Sequence, residues 1–390
     1  MEVKSDTATI TTDKSVLELA WEELELRNSP AEEQFRLFTN VVERSQPITD
    51  KEDVTILTHV TPNKLYRLEL LDKFYGGPIS VAVYIGSRQD IADFYNFIHK
   101  HQNDPDSSLP KHASYHVLME YDPVPLYPNN RLRNLALQYS DTKYFMSNDV
   151  DIVTKPNTHA ELKALFPQIK DKLDHRGIFV VPVFERFLPK KKDLTFVTEE
   201  YLPRSKEELI KMVKNEKSVS AFYMSNPRTR NIQRAANFTK WYGNDTDIYY
   251  NIKYENFFEP YVLALKNGAP QYWEVFRGFG YDKQSWFFEA ARMKYKFYVL
   301  RDFFLVHRNH AGARDIQGGL QRNKPIMKSM NQYMDAFYNE NSCWATKFSW
   351  ETNSLPENIT VNCKPHCATA SHCRIHFDYV MIFLNSRREA

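Results

Sequence analysis

Long apolar runs are missing from this chain, and so is a dominant charge of either sign. No stretch of its 390 residues approaches the roughly 18 to 20 apolar positions that a membrane span requires. The formal net charge of +2 is too small for a nucleic-acid scaffold, and a solvated loop accounts for the densest basic cluster, Lys190-Lys191-Lys192. Nucleic acid is therefore excluded as an expected partner. The opening residues also lack a secretory leader. Ser15-Val16-Leu17-Glu18-Leu19-Ala20-Trp21-Glu22 reads as an amphipathic, acidic helix, so the chain as written carries no secretion address. Glycine is scarce at 11 residues, and neither an internal repeat nor a low-complexity tract occurs. Cysteine is confined to Cys343, Cys363, Cys367 and Cys373. These suit two disulfides, with several connectivities open. His366, His372 and His376 interleave with the last three and leave a zinc alternative, at a spacing that matches no established module. Three sequons, at Asn237, Asn244 and Asn358, lean mildly toward a secretory compartment.

What is present is a globular composition, 42% apolar and 26% charged, long enough for one large domain or two ordinary ones. Aromatics reach 14%, which suits carbohydrate ligands, although most such rings belong in a core. Residues 1–50 read as a charged, helical extension. Val54–Val60 then reads as a strand, and Asn63–Phe74 as a helix closed by Gly76-Gly77-Pro78. Further strands are expected at Ile79–Ile85, Tyr115–Met119, Tyr144–Met146 and Gly177–Val183. Helices are expected at Arg88–Lys100, Pro128–Tyr139 and Ala160–Leu173. Continuous Val/Ile strands alternating with amphipathic helices predict a mostly parallel α/β sheet covered on both faces. The second half is less regular: a helix over Tyr201–Lys214, a strand at Tyr261–Ala264, a helix at Trp286–Met293 and a strand over Tyr298–His307.

The chemistry centres on Asn148-Asp149-Val150-Asp151-Ile152-Val153, directly after the apolar Tyr144-Phe145-Met146. Two carboxylates two residues apart form a hard oxygen site for Mn2+ or Mg2+. Such a cation can hold a nucleotide diphosphate and stabilise it as a leaving group. Asp-x-Asp alone is common, but ligands of open α/β sheets bind beyond the carboxyl ends of the strands, where this pair is expected to lie.

Four separated stretches combine with it. They are Tyr127-Pro128-Asn129-Asn130-Arg131-Leu132-Arg133-Asn134-Leu135-Ala136; Asn148-Asp149-Val150-Asp151; Phe258-Glu259-Pro260-Tyr261-Val262, followed by Phe276-Arg277-Gly278-Phe279-Gly280-Tyr281-Asp282-Lys283; and Phe304-Leu305-Val306-His307. In order and spacing, from about Val54 to His310, they resemble glycosyltransferase family 49, the family of the dystroglycan glucuronyltransferases. The resemblance implies a GT-A fold, a Mn2+-dependent inverting reaction, UDP-glucuronic acid as donor, a glycan hydroxyl as acceptor and the Golgi lumen as compartment, with any membrane anchor lying outside the given sequence; a cytoplasmic or truncated form is the alternative expectation. It places Asp149 and Asp151 on the family's Asp-x-Asp and His307 on its late metal-binding histidine, with His310 as understudy. A neutral imidazole beside two carboxylates is itself a good Mn2+ set. Asn130 and Arg133 are expected to hold nucleotide, phosphate or the Asp carboxylates, because Arg suits bidentate anion contacts. Lys283 or Arg277 is expected to pair with a donor carboxylate. An inverting transfer needs a base for the acceptor hydroxyl. Glu289 is the first choice and Asp282 the second, where the family carries asparagine. Trp273, Trp286 and Tyr281 flank this stretch as candidate acceptor platforms, and Trp241 aligns with a family tryptophan.

The expected organisation is the 1–50 extension, a nucleotide-sugar half over 51–190, an acceptor half over 191–330 and a cysteine-bearing tail over 331–390. Two rivals stand against the enzyme. A non-catalytic glycan- or partner-binding relative has no need to keep all three metal residues. A nucleotidyltransferase wants a third carboxylate and a basic groove, and the sequence offers neither.

Overall fold

The structure, a computed structural model, describes residues 35–103, 110–121, 126–187, 197–223, 231–243, 245–308 and 316–337. The four cysteines, His310, Lys190–Lys192, Asn244, Asn358 and residues 1–34 of the expected helical extension lie outside these. The rest of that extension departs from expectation: Phe35–Val42 is a strand (β1), followed by β2 at Val54–Val60, β3 at Ile79–Ile85 and β4 at Ala113–Glu120. Register explains why β1 forms. It pairs antiparallel with β4 and covers an edge that would otherwise expose unpaired backbone groups.

The chain continues through β5 (Tyr144–Ser147), β6 (Ile152–Thr154), β7 (Gly177–Val181), β8 (Val183–Arg186), β9 (Val219–Ala221), β10 (Tyr249–Ile252), β11 (Tyr261–Leu265), β12 (Lys296–Leu300) and β13 (Leu305–Arg308). The main helices are α1 (Leu68–Tyr75), α2 (Arg88–Asn103), α3 (Asn129–Gln138), α4 (Thr158–Asp174), α5 (Lys206–Lys211), α6 (Asp282–Arg292) and α7 (Ile316–Phe337). Gly76 ends α1 in the left-handed region, at φ 71°, and its N–H donates to the Asp72 carbonyl.

Nine strands form one sheet in the order β1-β4-β3-β2-β5-β11-β7-β12-β10. The α/β class is as expected, but the sheet is mixed rather than mostly parallel. β4-β3-β2-β5 and β7-β12 run parallel, while both edges and the central β11 run antiparallel to their neighbours. The buried strands give no clue to direction, because a strand covered on both faces reads apolar throughout either way. Side chains alternate as the pleat requires: Tyr144 and Met146 join one apolar cluster and Phe145 the other.

Two expected strands break in step. The apolar run from Gly177 divides at Pro182, and Tyr298–His307 divides across Arg301–Phe304. Their first halves, β7 and β12, pair in the large sheet. Their second halves, β8 and β13, pair again in a four-stranded sheet of order β6-β13-β8-β9. Proline has no N–H to give a ladder, yet its carbonyl still accepts one, and Leu305 N–H donates to Pro182 at 2.9 Å. This paired crossing carries β13 alongside β6, which directly follows the Asp-x-Asp.

Candidate active site

Asp149 leaves β5 in a tight turn. Asn148 N–H donates to the Leu57 carbonyl, Asn148 Nδ2 to the Ile152 carbonyl, and Ile152 N–H to the Asp149 carbonyl. Because β11 runs antiparallel to β5, its first residue, Tyr261, arrives at the end of β5 where the turn begins. The Tyr261 hydroxyl donates to Asp149 Oδ2 at 2.6 Å, and Lys283 Nζ donates to the same oxygen at 2.7 Å. Asp149 Oδ1 has Arg133 Nη2 at 3.4 Å and His59 Nε2 at 3.8 Å. Burial alone would raise this carboxyl, but Lys283 and then Arg133 hold it well below the usual carboxylate range.

The cations arrive from two helices locked together. Asn130, Arg133 and Asn134 share one face of α3 at helical spacing. Asn130 Nδ2 donates to the Trp273 and Asp282 carbonyls, and Asn134 exchanges hydrogen bonds with the Tyr272 backbone. Arg133 Nη1 donates to Asp282 Oδ2 at 2.7 Å. The turn into α6 contains Gly278 and Gly280 at φ 66° and 92°, and Asn323 of α7 pins it by donating to the Arg277 and Gly280 carbonyls. Lys283 follows in the first turn of α6. It sits between Asp149, the Tyr261 hydroxyl and Glu259, whose Oε1 is 3.3 Å away. Burial opposes its charge, but Asp149 first among these neighbours holds the ammonium protonated.

Asp151 lies in a different environment. Its Oδ2 is 3.6 Å from Arg67 Nη1 and 3.9 Å from His307 Nε2. The small sheet fixes this approach, since His307 is registered against Ile152 and Arg308 N–H donates to the Asp151 carbonyl at 2.9 Å. Two ligands of one octahedral Mn2+ stand about 3 Å apart, so Asp151 and His307 need close by only about 1 Å to share a cation. A hard carboxylate and an imidazole suit that ion. Among the described residues, no three such side chains already stand as a complete ligand set.

The expected residues thus separate into groups. Asn130, Arg133, Asp149, Asp151, Lys283 and His307 converge on one end of the sheet. Asp282 joins them, but its carboxylate is buried and bonded to Arg133 and Asn129. Burial would raise it, yet Arg133 brings it below the ordinary value, which makes it a poor proton acceptor. Glu289 stands two turns along α6, about 10 Å from Asp282 at helical rise, and accepts from Trp273 Nε1 at 2.6 Å. Arg277 is held by a bidentate pair with buried Glu120. Trp286 and Trp241 are wholly buried and donate to the Pro270 and Leu300 carbonyls, so they belong to the core. Trp273 and Tyr281 remain half-buried.

Sequence reasoning gave no role to His59, Arg67, Glu185, Tyr223, Glu259 or Tyr261. Burial, and then Arg133, push the His59 imidazole down to about 3, so it is neutral beside Asp149. Burial raises both Glu259 and Glu185, although Lys283 opposes it at Glu259. Tyr223 feels Glu259, Lys283, Glu185 and Asp149 together, and burial pushes its phenol up to about 12. Glu259 and Tyr261 lie in a motif stretch without a role assigned to them, and the others carry no signal in the sequence beyond their position near strands and turns.

The family described as "Glycosyl-transferase for dystroglycan" matches residues 53–125 and 124–340. The chain is 27% identical over 281 residues to mouse xylosyl- and glucuronyltransferase LARGE2, covering 72% of this chain and 38% of that protein. It is 28% identical over 271 residues to human LARGE1, covering 70% and 33%, and 30% identical over 271 residues to zebrafish LARGE2s, covering 69% and 33%. The chain therefore spans little more than a third of these relatives' length. Among solved structures, GalNAc-T7 with UDP, GalNAc and Mn2+ aligns over 74% of this chain and 51% of its own, at 9% identity and a TM-score of 0.41. Staphylococcus aureus TarS in complex with UDP aligns over 65% and 60%, at 11% identity and 0.33. The match over most of residues 53–340 shows that the chain belongs to glycosyltransferase family 49.

Proposed function

We propose that this chain transfers glucuronic acid from UDP-glucuronic acid to a glycan hydroxyl, with inversion, in the lumen of the Golgi. The observation that carries the proposal is the convergence of Asp149, Asp151, His307, Arg133 and Lys283, from four separate segments, at one end of the sheet of a family 49 chain. Asp151 and His307 would hold Mn2+, with Asp149 offering its Oδ1 edge. A cation there neutralises the charge that grows on the departing diphosphate. Arg67 and Arg133 present guanidinium groups on either side of the Asp pair and suit phosphate oxygens. The neutral His59 and the Asp149 carboxylate, 3.8 Å apart, offer a donor and an acceptor to one donor hydroxyl. In this reading Lys283 pairs with the glucuronate carboxylate only after loosening from Asp149.

Glu259 is the better proton acceptor for the acceptor hydroxyl. Burial raises it, and the Asp149–Lys283 pair separates it from the cation end. The test is a screen of UDP-sugars with the purified protein, reading UDP release with and without Mn2+. UDP-glucuronic acid should give metal-dependent release, and a folded protein that releases UDP from no donor defeats the proposal. Glu259→Gln should lower transfer by roughly 10²- to 10⁴-fold while leaving UDP affinity unchanged.

A further inference from the structure

His307 lies between two carboxylates. Its Nε2 faces Asp151 Oδ2 at 3.9 Å, and on the opposite side Nδ1 faces Glu185 Oε1 at 3.8 Å. The second contact is built into the fold. β13 runs parallel to β8, with His307 registered against Glu185, so the two side chains leave the same face of the small sheet. Both are largely buried, with side chains 14% and 15% exposed. The Phe222 ring packs on the imidazole, with centroids 4.8 Å apart, and limits its rotation from the side. None of the family-motif stretches contains Glu185, and neither the donor contacts nor the proton transfer proposed above uses it.

We propose that Glu185 is the positioning residue of the cation site. It receives the Nδ1 proton of His307 in a hydrogen bond, which fixes the tautomer that leaves the Nε2 lone pair facing Asp151. A carboxylate behind a ligating imidazole also raises its basicity, and removing such a partner typically weakens metal affinity. The contact has to shorten by less than about 1 Å to reach hydrogen-bond length, and a small side-chain rotation supplies that. The inference rests on the assignment of Asp151 and His307 to the cation, and the test separates the two.

The measurement is Mn2+ binding in the presence of UDP, read by electron paramagnetic resonance of the full chain, with nitrogen hyperfine coupling recorded on the bound ion. Wild-type protein should show a nitrogen coupling that His307→Ala removes. Glu185→Gln should keep a cooperative melt and bind Mn2+ roughly 10- to 100-fold more weakly. Glu185→Asp should recover part of that loss, which a merely packing role of the side chain does not predict. It also serves as the second variant if Glu185→Gln does not fold. Coupling present with Mn2+ affinity unchanged in the Glu185 variants overturns the positioning role and leaves the cation assignment standing. No nitrogen coupling in wild-type protein overturns both.

Discussion

Asp149 and Asp151 are two residues apart in the chain, yet their surroundings differ in kind. Asp149 is an anionic hub: the Tyr261 hydroxyl and the Lys283 ammonium bond one oxygen, while Arg133 and the neutral His59 stand by the other. Asp151 stands at the rim of the small sheet, with its neighbours Arg67 and His307 at 3.6 and 3.9 Å. The first carboxylate compensates two buried cations and helps hold α6 against β5. The second has Arg67 and His307 at longer range than those bonds and is better placed to exchange these two neighbours for a ligand. A motif written as one unit therefore divides into a part bound to the folding energy and a part available for chemistry.

Asp151→Asn gives the largest expected effect. Metal-dependent UDP release should fall roughly a thousandfold, while thermal stability stays within about 0.5 kcal/mol of wild type. Full activity in that variant removes Asp151 from the cation site. Asp149→Asn should behave differently and lose stability as well as activity, because Lys283 and Arg133 keep their charges with one counter-charge fewer. Breaking a buried pair costs several kcal/mol, and partial exposure of this carboxylate reduces that to about 2–3 kcal/mol. Urea denaturation measures it, and equal stability of the two variants erases the contrast.

His59→Gln tests the Asp149 side through pH. The folded His59 sits at about 3 against an unfolded value of 6.5, so between these values the unfolded chain binds more protons. Stability from this group is complete above pH 6.5 and is lost as pH falls toward 3. The variant should flatten the melting temperature over that window, and His116, lowered by burial to about 4, should keep part of the slope. Glu289→Gln should have the smallest effect, changing UDP release by less than about twofold, since its carboxylate is bonded to Trp273 away from the Asp pair. A hundredfold loss there restores Glu289 as the base in place of Glu259.

Much of the first half was legible. Val54–Val60 and Ile79–Ile85 matched their strands, and Gly76 ended α1 as expected, because buried strands and a glycine stop are local signals. β1 was not legible: a half-buried edge strand in a charged stretch has little apolar periodicity to read. The breaks at Pro182 and Arg301–Phe304 were missed for another reason. Each continuous apolar run changes sheets without changing its character, and only the partner strand shows where. In the site, the same limit separates Asp282 from Glu259. Both are acidic residues in the motif stretches, but Arg133 bonds to Asp282 and holds it below its ordinary value, while at Glu259 burial outweighs Lys283 and Gln284 and raises it.

The sequence by itself determined the α/β alternation, the position of the Asp pair after a buried strand and the motifs that mark the family, because periodicity, turn residues and spacing are properties of the chain. The tertiary structure decided the antiparallel insertion of β11, the crossing of β8 and β13 into a second sheet and the different fates of Asp149 and Asp151. These depend on which distant cation, hydroxyl or imidazole is brought within about 4 Å, and electrostatic energy depends on distance through space rather than along the chain.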